Sequence, residues 1–292
     1  MVLFNGLQLN PAKSEVLLVG SQAKRRTALT SLGFVTSPAD SLISGVSVAG
    51  SFVPLVNSTK ILGVTFDSTL SLDCHVSEIC RTINFHLRAL SHIRQYLTVT
   101  SANLIACSII ASRLDYCNSL FSGLSNYNIH RLQLAQNRAA RIVLGAGRKV
   151  SADPLLRELH WLPVRKRIQF KIVILTFKTV TTRQPAYLSD LLTPYVPSRC
   201  LRSSESNFLT VPRVDSVLQS RAFSYAAPHL WNSLPASLRG LAVIPASPVP
   251  SFVTTAPSFS VSGSTVVPSD NFAVFKSKLK THLFSDTTVL AT

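Results

Sequence analysis

Acidic residues are scarce in this chain. Thirteen Asp and Glu stand against 29 Lys and Arg in 292 residues, a net charge of +16. The closest carboxylate pairs, Asp73 with Glu78 and Asp153 with Glu158, are five positions apart, a poor spacing for one helix face. Neighbouring acids therefore build no two-metal cradle of the kind nucleotide transfer needs. They read as caps and surface ion pairs.

The five cysteines, Cys74, Cys80, Cys107, Cys117 and Cys200, are odd in number and form no C-x-x-C pair. That argues against a disulfide framework and for a reducing, intracellular setting. Cys74, His75, Cys80, His86 and His92 share one stretch, but the cysteines lack the close spacing of a structural zinc site. They read as thiols and imidazoles without a metal. Long apolar runs are missing too. The best, Ile172 to Phe177, contains Thr176 and lies between Lys171 and Lys178, far short of the roughly 20 residues of a membrane helix. Met1 to Lys13 carries no basic-then-apolar leader, so no membrane partner is expected. Neither a G-x-S-x-G elbow nor a G-x-x-x-x-G-K-[ST] phosphate loop occurs.

What is present is apolar material and concentrated positive charge. Hydrophobic residues make up 46% of the chain, enough for a packed core and against wholesale disorder. From Arg131 to Arg183 twelve Lys or Arg face only Asp153 and Glu158, a net +10. A surplus concentrated in this way points to a polyanionic partner.

The first seventy residues read as short strands at Glu15–Gly20, Gly45–Val53 and Ile61–Phe66, with Gly63 marking a close backbone approach. Helical period begins at Leu72 and continues through Val76, Ile79, Ile83, Leu87, Leu90 and Ile93. Ser71 is the expected N-cap, and Asp73 suits the helix start. Further helices are expected over Ser101–Leu114, Ile129–Leu144 (stopped at Gly145 and Gly147) and from Pro163 to Val180. In the Ile129–Leu144 helix, Ile129, Leu132, Ala139, Ile142 and Val143 fall on one side and Arg131, Arg138 and Arg141 on its neighbour. The next helix opens with Arg165, Lys166 and Arg167, then Lys171. These seven cations are the candidate phosphate contacts; a solvated face with no partner is the plain alternative. Trp161 and Trp231 either stack on bases or anchor helix packing. Gly240–Ser269 has no charge, five prolines and seven serines, the composition of a linker. It precedes Asn271–Phe284, which has helical period and a basic face.

Several strings resemble the C-terminal half of reverse transcriptases from LINE-type (non-LTR) retrotransposons, especially the chicken-repeat and Jockey-like groups. Asn5–Gly20 (NGLQLNPAKSEVLLVG) resembles the segment after the catalytic box. Ile61–Asp67 (ILGVTFD) resembles the hairpin that grips the primer end. Ser112–Leu120, Arg131–Gly145 and Leu156–Lys178 resemble the thumb and the region beyond it, and Pro185–Arg199 and Arg221–Arg239 continue the match. Phe272–Phe284 resembles the end of the reading frame.

The resemblance implies an α+β fold, predominantly α. A palm remnant with the primer-grip-like hairpin occupies 1–69, and a thumb-like helical region 70–150. A helical C-terminal region follows over 151–239, then a Pro/Ser-rich linker over 240–270 and a tail helix over 271–292. It implies RNA or RNA–DNA duplex as partner. It also implies that Lys13 matches the lysine that protonates departing pyrophosphate, and that Mg2+ belongs only to an intact family member. The family's aspartate pair is expected just before Asn5. A truncated chain without polymerase activity is therefore expected, with the missing segments possible contributions of another chain. A protein-interaction fragment and a transposon relic without selected function are the rival expectations.

Overall fold

The computed structural model describes residues 10, 13–31, 35–36, 44–48, 51–197, 207–242 and 269–285. In order, its regular elements are β1 (Val16–Leu17), α1 (Gln22–Ser31), β2 (Val35–Thr36), β3 (Ser44–Val48), β4 (Ser51–Val56), β5 (Ser58–Ile61) and β6 (Val64–Asp67). Then come α2 (Asp73–Ile93), α3 (Val99–Ala106), α4 (Ser112–Asp115), α5 (Asn126–Leu144), α6 (Ala152–Glu158), α7 (Val164–Thr182), α8 (Ala186–Ser189), α9 (Phe223–Asn232), α10 (Ala236–Arg239) and α11 (Ser269–Ser285). The fold is α+β and mostly helical. The expected linker falls largely outside the described residues, as do residues 1–9 and 11–12 near the N-terminus.

The chain divides into two compact units. The first comprises Met1–His92 and Leu124–Ala135, and the second Ile93–Gly123 and Gln136–Thr292.

In the first unit the strands form two small sheets. The four-stranded one has the order β1-β4-β3-β2, with β1 parallel to β4 and the other pairs antiparallel. Gly45 pairs with Pro54. A Cβ there would stand 2.3 Å from the Val53 carbonyl oxygen, so no larger residue fits without moving a strand. The two-stranded sheet is the β5–β6 hairpin, with Ile61 opposite Val64. Its turn is Leu62–Gly63, both at positive φ (48° and 83°), the geometry that matches strand twist in a two-residue hairpin loop. The run expected as one strand over Ile61–Phe66 is thus two strands, and Gly63 serves the turn between them. Likewise Gly45–Val53 spans parts of two paired strands. Helix α1 breaks the expected all-strand start; it is exposed along most of its length and so carries no apolar period.

The start of α2 is fixed by one carboxylate. Asp67 Oδ2 accepts from the Ser71 amide at 2.9 Å and from the amide and hydroxyl of Thr69, and Oδ1 accepts from the Leu72 amide at 2.7 Å. These bonds hold Leu70 and Leu72 at positive φ, a strained conformation for branched residues. Burial raises the Asp67 pKa, but the donors from Thr69, Ser71 and Leu72 outweigh it and hold the carboxyl below its usual 3.8. Ser71 does accept from the Asp73 amide at 3.2 Å; Asp67 carries the larger share. Downstream, Val76, Ile79, Ile83, Leu87 and Leu90 are buried on one stripe, as the period required, but the last expected position, Ile93, is 46% exposed because it stands at the helix end.

In the second unit α3 and α4 are joined through a π-helical turn at Cys107–Ala111, within the single helix expected over Ser101–Leu114. Helix α7 is the centre of this unit. It buries ten residues on nearly all sides. Pro163 stands just before it as N-cap, one position earlier than a first-turn proline. Phe177 of α7 stacks on Phe275 of α11 at 4.1 Å and lies 6.5 Å from Trp231 of α9. Phe275, Leu279 and Leu283, spaced by four, bury the inner face of α11. Trp161 is also buried, and Trp231 donates its indole N–H to the Asn207 carbonyl at 2.7 Å. Both tryptophans are therefore packing residues in this structure, with no ring face open to a base.

Candidate nucleic-acid interface

The seven cations differ in what holds them. Arg131, in the first unit, donates to Ser77 Oγ at 2.9 Å and lies 5.5 Å over the Tyr127 ring. It is half-buried. The other six lie in the second unit. Arg138 on α5 is exposed, and Arg141 one turn later donates to the Val150 carbonyl at 3.0 Å. That bond fixes the loop after α5, where Gly145 takes φ +66° as the helix stop.

On α7 the expected patch breaks up. Arg165 and Lys171 are exposed, but at 100° per residue they stand about 120° apart around the helix. Lys171 shares a side with Lys178, whose ammonium lies 4.7 Å over the Phe272 ring. Lys166 retains only 8% of its surface, which takes it out of the solvent-facing set. Arg167 forms an ion pair with Asp115 at 2.7 Å and donates to the Leu162 carbonyl at 2.9 Å. The same carbonyl accepts from Gln136 of α5 at 2.9 Å. Arg167 is thus structural mortar joining α4, α5 and the start of α7. The reason is burial. Helix α7 is surrounded, so adjacent basic positions meet core, carbonyl or solvent in turn.

Other arginines, unremarked in the sequence, are committed in the same manner. Arg94 donates to the carbonyls of Ile142 and Val143 at 3.0 and 2.9 Å and to Leu97 at 2.7 Å. It caps the C-terminus of α5, where cations are favoured. Arg221 donates to Ser122 at 3.1 Å. Arg239 is buried, lies 4.1 Å over the Phe208 ring and donates to the carbonyls of Asn232 and Leu234; burial pushes its pKa down. For Arg94 and Arg221 the carbonyls lie 48 and 99 residues away along the chain, so local pattern gives no sign of them.

Lys13 is exposed, and its amide donates to the Asn10 carbonyl at 3.1 Å. The acids serve local structure. Besides Asp67, Asp73 accepts from Asn128, Glu78 lies 3.7 Å from Lys60, and Glu15 accepts from Thr59 at 2.8 Å. Among the described residues no three His, Cys, Asp or Glu side chains come together as a metal site, and Cys74, His75, Cys80, His86 and His92 do not converge. No described helix is long and apolar enough to cross a membrane. A groove of about 540 Å³ lies at the end of α7, lined by Phe177, Thr181, Thr182 and Phe272 with Lys178 as its one charge.

No protein-family model, curated protein or solved structure matches the chain.

Proposed function

We propose that this chain is a nucleic-acid-binding protein of the LINE reverse-transcriptase type that holds RNA–DNA duplex by its phosphates. The observation that carries the reading is the charge: +16 overall, with Arg138, Arg165 and Lys171 turned to solvent within the most basic stretch. Such contacts are tolerant of sequence and steeply dependent on salt. The resemblance of the strings supports it, as does the β5–β6 hairpin, whose tip residue Leu62 is 86% exposed. Nucleotide addition by these residues alone is not part of the proposal, because Asp67, Asp73, Asp115 and Glu78 are engaged in caps and pairs.

Binding of a fluorescent RNA–DNA duplex over a salt series tests it. Affinity should fall steeply between low and moderate salt, and R138A/R165A/K171A should reduce the log–log slope by about 3, near 0.9 per phosphate contact. Affinity indifferent to salt would sink the reading. In primer extension with Mg2+, the chain alone should incorporate nothing.

A second reading, a protein-interaction fragment, is favoured by exposed apolar side chains in the second unit: Tyr187 (71%), Tyr195 and Val196 (82%). It expects concentration-dependent oligomers on sedimentation.

A further inference from the structure

Helix α2 turns to solvent a face that its core packing leaves unused. Arg81, Phe85, Arg88 and His92 are all exposed. Steps of four, three and four place them within an arc of about 60°. Phe85 keeps 67% of its surface in water, and its ring lies nearly perpendicular (78°) to that of His86, 5.3 Å between centroids. Neither Arg81 nor Arg88 is spent on a carbonyl or an ion pair among the described residues, unlike Arg94, Arg167 and Arg221. The acid one turn before this stripe on α2, Glu78, is turned to Lys60 at 3.7 Å and accepts from Thr65 at 3.3 Å. The stripe beyond it is therefore purely cationic and aromatic.

An exposed apolar ring with an arginine four positions before it and another three positions after it on one helix side is costly to leave in water and matches one kind of partner well. A nucleobase can lie on the phenyl face while the phosphates on either side reach the arginines. Arg81 and Arg88 stand about 10 Å apart along the axis, seven residues at 1.5 Å, with Phe85 between them. Stacking on a side chain needs a base whose face is free. Bases inside a duplex are already covered by their neighbours. The geometry points to the Arg81–Phe85–Arg88 face of α2 as a docking strip for single-stranded nucleic acid, with Phe85 as the stacking platform and the two arginines as phosphate contacts. The strip owes nothing to α5 or α7, so it stands or falls apart from the duplex reading.

The test uses the full chain and three fluorescein-labelled probes: oligo(dT), oligo(U) and an RNA–DNA duplex of equal length. Phe85→Ala should weaken binding of a single-stranded probe about tenfold and change duplex affinity by less than about twofold. Phe85→Trp should restore it and show fluorescence quenching on binding. Arg81→Ala with Arg88→Ala should lower the single-strand salt slope by about 1.4, near 0.7 per phosphate. Loss on either probe supports the strip. Single-strand affinity unchanged in Phe85→Ala, equal loss on duplex, no rescue by Trp, or no single-strand binding at all would each overturn it. So would a dimer that dissociates in Phe85→Ala while single-strand binding persists, which assigns the face to a second copy. Failure of the duplex reading shows separately, as weak duplex binding by the unaltered chain.

Discussion

Two of the long helices, α2 and α7, are both cation-bearing, yet their charges have different fates. Helix α2 buries a single stripe and leaves a clear outer face, so Arg81, Arg88 and His92 line up in water. Helix α7 is buried on nearly all sides, so of its first four cations Lys166 is enclosed, Arg167 is bound to Asp115 and Leu162, and only Arg165 and Lys171 emerge, on different sides. A basic run is therefore a surface only where the helix has one clean apolar side. Where it has none, arginine serves as readily to satisfy carbonyls as to meet a polyanion.

The sharpest way to break the comparison is to truncate one phenylalanine on each helix. Phe177 on α7 is 1% exposed and stacked on Phe275; Phe177→Ala should cost about 3–5 kcal/mol in urea unfolding and free α11 to protease. Phe85→Ala on α2 should change stability by less than about 0.5 kcal/mol. Similar losses would mean that the two helices are not differently buried.

Next comes the anchor of α2. Asp67→Ala removes the acceptor for three amides and a hydroxyl and should cost about 2–3 kcal/mol, leaving Leu70 and Leu72 strained. Because the folded carboxyl is held below 3.8, its contribution is present above that pH and lost as pH falls through the lowered value. An acid-unfolding midpoint that does not move in the variant would contradict this role.

A smaller effect lies at His75. Burial pushes its pKa below 6.5, opposed by Glu78 and aided by Lys60. The unfolded chain then takes up its proton first. Stability is full above about 6.5 and declines as pH drops toward the folded value. His75→Gln should flatten the stability profile between about pH 7 and 5, and a profile identical to the parent's would rule His75 out as the cause.

The smallest effect separates cations on α7. Lys166→Met should leave duplex affinity within about twofold, whereas Lys171→Ala should lower the salt slope by about 0.9. Equal losses would return Lys166 to the surface set.

Much of this architecture was legible in the residues. The stripe from Leu72 to Leu90, the stop at Gly145 and the tail helix all follow from period and punctuation, because each sits between core and water. Helix α1 was not legible, being solvated along most of its length, nor was the Leu62–Gly63 turn, which lacks the Asn-Gly or Asp-Gly signature of its class. Of the candidate cations, Arg138, Arg165 and Lys171 emerge at the surface. Arg167 and Lys166 do not, and Arg81 and Arg88 lay unnoticed in a helix marked chiefly by its apolar positions.

The sequence by itself determined the charge surplus, the mostly helical character and the inner faces of α2, α5 and α11, since these depend on composition and on neighbours three and four residues away. Only the tertiary structure decided which arginines are consumed. A guanidinium is satisfied as well by a helix-end carbonyl as by a phosphate, and the carbonyls that claim Arg94 and Arg221 lie 48 and 99 residues away along the chain.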